Sequence, residues 1–222
     1  MKITVIIGSP RGMKGNTGRL LEEVLLGLNK SVETELFDLS KLKVLPCNGC
    51  DYCHRTGACH LKDDYETIKA SLLDCDGFIL ASPNYIFSVT AQLKALFDRS
   101  GNLIHCLMLE GKYGAVVETS GGGEDDIVID YVGRFINSTG AQSVGGIGSP
   151  MAGERTFPRE ELLFQQARQL GQNLYLSIRN QQEFPDQAEY RSAFKTRMKN
   201  LIEYRKETWT AEKTYWLEHH AD

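Results

Sequence analysis

The chain's 222 residues, 41% hydrophobic and 24% charged, suit one large domain that buries its core without disulfides. A formal net charge of -4 at pH 7 argues against a nucleic-acid binder, whose footprint is a concentrated basic face, and no apolar run approaches a membrane span. The opening MKITVIIGS has Lys2 as its one charge and lacks a small-residue cleavage site, so it reads as a first strand and the chain is expected in the cytoplasm.

Residues 2–8 form an unbroken apolar run ending in Gly8, as in a parallel strand buried on both faces. From Thr17 to Asn29, Leu20, Leu21, Val24, Leu25 and Leu28 recur at helical spacing. A weaker strand occupies 32–39, followed by a cysteine-rich segment at 46–60. Asp63 and Asp64 precede a helix running to about Asp74, and 77–81 is another buried strand. One helix is expected over 89–105, a strand over 113–118, a helix over 124–138 and a weaker strand over 141–148. Two helices close the chain, at 158–179 and 187–218. This alternation predicts an α/β fold: a flavodoxin-like doubly wound sheet of five parallel strands, order 2-1-3-4-5, with helices on both faces. The main domain is expected over 1–180, with a helical extension over 181–222 packed on it or on a partner subunit.

Three connecting loops carry ligand-like chemistry. Gly8-Ser9-Pro10-Arg11-Gly12-Met13-Lys14-Gly15-Asn16-Thr17 joins the first strand to the first helix. Its backbone N–H groups, the Ser9 and Thr17 hydroxyls and the Asn16 amide sit at the positive end of a helix, where a phosphate fits, with Arg11 and Lys14 adding charge. Asn16-Thr17 follows Gly15, which excludes a Walker loop, and Pro10 stands where a dinucleotide fingerprint needs its second glycine. The bland alternative is a glycine-rich turn in which Asn16 caps the helix. After the third strand, Tyr85-Ile86-Phe87 puts large apolar groups in a loop stiffened by Pro83. Such groups suit a flat ring or a partner subunit, or else they tuck into the core. After the fourth strand, Thr119-Ser120-Gly121-Gly122-Gly123-Glu124 permits close backbone approach to a ligand, or is a flexible turn. In this fold all three loops open on one edge of the sheet.

The residues resemble a known family. Gly-Ser-Pro-Arg followed by Gly-Asn-Thr, and Ser-Pro-x-Tyr followed by Val-Thr-Ala-Gln-Leu-Lys-Ala-Leu-Phe-Asp-Arg, are similar to the NADPH-dependent FMN reductases and the related iron–sulfur flavoproteins. The likeness covers roughly residues 1–150 and is loose beyond them. It implies that Ser9, Arg11, Gly15, Asn16 and Thr17 hold the FMN phosphate. Pro83, Asn84, Tyr85, Ile86 and Phe87 would line the flavin ring, and Ser120, Gly122 and Gly123 would approach its pyrimidine side. Phe87 stands where a smaller residue is common, which narrows the access of a second substrate to the ring. The activity implied is hydride transfer from NAD(P)H to FMN and on to a flavin, quinone or other small acceptor, in a homodimer or homotetramer. No nicotinamide motif and no required acid–base side chain stands out, although Tyr85 is a candidate for orienting a substrate.

Cys47, Cys50, Cys53 and Cys59 give the spacing C-x2-C-x2-C-x5-C, which resembles the compact cluster motif of iron–sulfur flavoproteins. A [4Fe-4S] cluster, free or redox-active thiols, and zinc all remain open at this point. With a cluster, the chain becomes an electron carrier coupled to FMN and fed by a ferredoxin-like donor; with bare thiols, it could serve as a redox-sensing regulator. Cys75 and Cys106 read as plain buried residues. Trp209 and Trp216, seven apart, would share a helix face, either against the domain or on an arm reaching another subunit. His219 and His220 are too few to suggest a metal.

Overall fold

The structure, a computed structural model, describes residues 1–153 and 155–220. The expected strands, three apolar runs and two weaker segments, become five parallel strands: β1 (Lys2–Ile7), β2 (Glu33–Asp38), β3 (Gly77–Pro83), β4 (Tyr113–Thr119) and β5 (Gln142–Ile147). Their order is β2-β1-β3-β4-β5, with Ile6 beside Leu80 and Leu80 beside Val116. The nine α-helices among the described residues are α1 (Asn16–Leu26), α2 (Tyr52–Thr56), α3 (Tyr65–Asp74), α4 (Ala91–Arg99), α5 (Gly101–His105), α6 (Asp125–Ser138), α7 (Glu160–Asn180), α8 (Pro185–Arg205) and α9 (Thr210–His219).

Strand side chains alternate between the two sheet faces, and the core divides accordingly. Ile6, Phe78, Leu80 and Val116 pack on one face against Ile68 and Leu72 of α3, Leu93 and Leu96 of α4, and Val128 and Val132 of α6. Ile3, Val5, Ile7, Ile79, Ala115 and Val117 pack on the other, against Leu20, Leu21 and Val24 of α1 and Leu163, Ala167, Leu170 and Leu174 of α7. Burial on both faces explains why these strands read as continuous apolar runs rather than alternating ones. Two glycines let α1 and α7 meet backbone to backbone. A Cβ on Gly171 would lie 2.0 Å from the Val24 carbonyl oxygen, and one on Gly27 only 1.9 Å from that of Arg168.

Two helix expectations need correction. The single helix expected over 89–105 is two, α4 and α5, separated at Ser100. There the Ser100 hydroxyl donates to the Leu96 carbonyl at 2.8 Å, and Gly101 follows, so side-chain competition and backbone freedom coincide. α4 itself begins late, because Thr90 is its cap: its hydroxyl accepts from the Leu93 N–H. The helix expected over 187–218 is also two, α8 and α9. α8 starts at Pro185, whose fixed φ suits a first helical position. The chain then turns at Trp209 (φ -103°, ψ 58°), whose ring is buried in a third cluster with Cys106, Leu107, Met198, Ile202 and Trp216. Tertiary packing of that ring overrides the helical propensity around it. Both tryptophans therefore cover their own chain, and the Trp216 indole N–H donates to the His105 carbonyl at 3.0 Å. Cys75 and Cys106 are buried, as expected. Among the described residues no helix is long and apolar enough to cross a membrane.

Candidate functional site

β1, β3 and β4 end side by side, and their loops enclose one cavity. The first loop supplies Ser9, Arg11, Gly15, Asn16 and Thr17, the second Pro83, Asn84 and Tyr85, and the third Ser120, with Thr119, Gly121 and Met151 completing the wall. Ile86, Phe87, Gly122 and Gly123 lie outside that wall. Thr119 and Gly121 belong to the third loop but are not among its expected contacts, and Met151 carries no signal in the sequence. Met151 reaches the cavity through a turn after β5, where its N–H donates to the Ser120 carbonyl at 2.9 Å.

The first loop folds by local hydrogen bonds. The Gly12 N–H donates to the Ser9 carbonyl at 2.8 Å, and the Arg11 N–H to the Ser9 hydroxyl at 3.3 Å. Gly12 adopts φ +53°, and a Cβ there would collide with the Asp38 carboxylate at 2.3 Å. The Asn16 cap is not formed: Gly15 holds the N-cap position, no side chain caps it, and the first turn of α1 has no acidic residue. The positive end of an eleven-residue helix thus faces the cavity without a side-chain acceptor, which fits a phosphate. The loops are tied together. Thr17 and Thr119 hydroxyls pair at 2.6 Å, the Thr90 hydroxyl donates to the Gly8 carbonyl at 2.5 Å, and the Asn84 N–H donates to the Thr119 carbonyl at 2.9 Å.

The second loop ends in a tight turn in which the Tyr85 N–H donates to the Ser88 carbonyl at 2.8 Å. Its central residues, Ile86 and Phe87, both take positive φ, +52° and +60°, and are 88% and 62% exposed. A left-handed β-branched residue costs about 1–3 kcal/mol, so this turn is held open against its own preference. Beneath the third loop, Glu118 is fully buried and neither carboxyl oxygen has a hydrogen-bond partner. Desolvation, reinforced by the facing Asp125 carboxyl, pushes its pKa up to about 9.

A second cavity lies beside α2. Cys47, Cys50, Cys53 and Cys59 all line it, together with His54, Leu61 and Arg99. All four thiols are free. Arg99 is 3% exposed, and one of its terminal nitrogens bonds Asp63 and the Leu45 carbonyl. Its Nε and Nη2 are buried with no partner. Two unpartnered donors on a buried cation that lines the same cavity as four cysteines fit an anionic thiolate-ligated centre.

The cysteine segment is pinned by residues that no local pattern marks. Glu212 of α9, 1% exposed, meets His54 Nδ1 at 2.5 Å and His105 Nδ1 at 3.2 Å. The Trp209 ring stacks on both imidazoles, with centroids 4.3 and 5.0 Å away. Burial disfavours the charged form of His54, but its contacts with Cys53 and Glu212 outweigh that and lift its pKa to about 10. Lys69 and Asn102 donate to the Gly57 carbonyl at 2.7 and 2.9 Å, and Thr210 to that of Arg55 at 3.2 Å.

Residues 1–146 match the NADPH-dependent FMN reductase family. An iron–sulfur flavoprotein of Archaeoglobus fulgidus is 37% identical over 147 residues, which are 65% of this chain and 66%, just under two thirds, of that one. An iron–sulfur flavoprotein of Methanocaldococcus jannaschii is 39% identical over 138 residues, 61% of this chain and 71% of that one. Among solved structures, an NAD(P)H:quinone oxidoreductase from Methanothermobacter marburgensis superposes with a TM-score of 0.61 at 18% identity, covering 78% of this chain and 96% of that one. That likeness shows the shared fold.

Proposed function

The chain belongs to the NADPH-dependent FMN reductase family, and from that premise we infer that it is an FMN-dependent oxidoreductase taking hydride from NAD(P)H and passing electrons to a flavin, a quinone or another small acceptor. The observation that carries this reading is the single cavity built by the loops after β1, β3 and β4, with the uncapped end of α1 in its wall. Bound FMN supplies a two-electron acceptor for nicotinamide hydride. The protein's part is placement. Ser9, Asn16, Thr17 and the α1 backbone hold the phosphate, and Arg11 adds a positive charge. Pro83, Asn84 and Tyr85 flank the ring, and Ser120 with its neighbouring glycines brings backbone close to the other side. Tyr85 orients the second substrate. The exposed, strained Ile86-Phe87 tip is covered by another copy in a homodimer or homotetramer, and the free thiols suit a cytoplasmic, reducing setting.

The Arg99-lined cysteine cavity favours a second reading, in which a [4Fe-4S] cluster exchanges single electrons with FMN and a ferredoxin-like donor replaces NAD(P)H. The deciding experiment is an FMN and riboflavin titration, followed by anaerobic addition of NADH or NADPH to the FMN-loaded protein. FMN binding tighter than riboflavin binding, with bleaching of the flavin band and steady turnover with a quinone, is expected. Bleaching by dithionite alone would transfer the case to the second reading, and no FMN binding would end both.

A further inference from the structure

We propose that Arg99 is the positioning cation of the cysteine centre, donating its Nε and Nη2 hydrogens to the sulfurs of a cluster held by Cys47, Cys50, Cys53 and Cys59. This rests on the second reading above, and it assigns a role to a residue outside the ligand set.

The guanidinium has three tethers that fix its plane. One terminal nitrogen bonds Asp63 and the Leu45 carbonyl, and the Tyr65 ring lies 4.4 Å beneath the group; the Tyr65 hydroxyl separately donates to the backbone carbonyl of Arg99 at 2.7 Å. Asp63 in turn accepts from the Leu45 N–H at 2.7 Å, just before the cysteine run begins. The remaining nitrogens, Nε and Nη2, are buried without a hydrogen-bond partner, and Arg99 lines the cysteine cavity. A buried N–H without an acceptor is costly, and a guanidinium cannot discard its charge by losing a proton. Burial works against that charge, while Asp63 and the adjacent Cys59 sulfur both support it. Thiolate and sulfide sulfurs carry the negative charge these donors lack. Cys59 is the cysteine whose sulfur acts on Arg99, and its backbone N–H donates to the Glu66 carboxylate at 2.7 Å.

The consequence is electronic. One-electron reduction adds one negative charge to the centre, and no bond need form or break. A fixed cation with hydrogen bonds to sulfur stabilises that added charge and raises the reduction potential. Losing the fork while keeping the charge therefore favours the oxidised form.

The test is anaerobic reconstitution of the full chain with ferrous iron and sulfide, then redox titration with dithionite followed by absorbance. Arg99→Lys keeps the ion pair with Asp63 but has no fork. Arg99→Met combined with Asp63→Asn removes both buried charges and guards against a misfolded single variant. We expect wild type to take up iron and sulfide, and folded variants to shift the oxidised-to-reduced ratio at fixed potential at least tenfold, about 59 mV for one electron. Loss of cluster from a variant with unchanged circular dichroism also supports the role. Equal potentials and equal iron in wild type and folded variants would overturn it and leave the cluster reading intact. Wild type that takes up no iron and sulfide, or takes zinc instead, overturns the cluster reading itself.

Discussion

Glu212 of α9 reaches back 158 positions to hold the imidazole of His54 in α2 at 2.5 Å, tying the end of the chain to the residue after Cys53. The contact joins the helical extension, which lies beyond the family-matched residues 1–146, to the most chemically loaded segment of the domain. α2 has only five residues and none of them is buried, so it has little core of its own. Its order depends on what is laid over it: the Glu212 carboxylate, the Trp209 ring and the donors to Gly57.

Replacing Glu212 by alanine should therefore act in two places. Removing one partner of a buried ion pair leaves the histidines facing an apolar pocket, at a cost of about 3 kcal/mol. Urea unfolding should show that loss. Hydrogen exchange at residues 50–60 should quicken more than exchange in the sheet. Uniform loss of protection would mean that Glu212 merely supports the whole extension.

Most of the scaffold was visible in the sequence, for a physical reason. Strands buried on both faces are mostly apolar, so Ile3 to Ile7, with Thr4 the exception, and Phe78 to Ala81 announce themselves, and a tight strand-to-helix loop draws on Gly and small polar residues within a short stretch. What stayed hidden depends on tertiary contact. Glu212 is one charge in a charged helix until Trp209 turns the chain and buries it. Arg99 looks like an ordinary basic residue ending α4, and only the packing of Tyr65 and Asp63 shows that two of its donors are left over. Glu118 had a local signal, a carboxylate closing the otherwise apolar run Tyr113 to Val117, but burial alone reveals what that placement costs.

Arg11 is exposed at the mouth of the cavity, so its substitution should affect ligand charge recognition and little else. Arg11→Ala is expected to weaken FMN binding about tenfold, ~1.4 kcal/mol, and to leave riboflavin binding unchanged. Fluorescence titration of both ligands checks it. An equal loss for riboflavin would place Arg11 against the ring or ribityl chain.

The α1–α7 contact predicts a stability change remote from chemistry. Gly171→Ala places a methyl group 2.0 Å from the Val24 carbonyl oxygen, so the helices must separate. The expected cost is about 1–3 kcal/mol, seen as a lower Tm, with FMN affinity altered only as far as the N-terminal end of α1 moves. An unchanged Tm would show that the two helices can slide at no cost.

Glu118 predicts how stability depends on pH. Its carboxyl ionises near 4.5 in an unfolded chain and at about 9 when folded, because desolvation and the Asp125 carboxyl both favour the neutral form. Between those values the folded protein keeps a proton that the unfolded chain has released. The contribution is thus complete below the unfolded value and is lost as pH rises toward 9, with a slope of at most ~1.4 kcal/mol per pH unit. Glu118→Gln keeps the shape and abolishes the ionisation. Its Tm should match wild type near pH 5 and exceed it increasingly from pH 6 to 8.5. Parallel curves across that range would mean that folded Glu118 is already ionised.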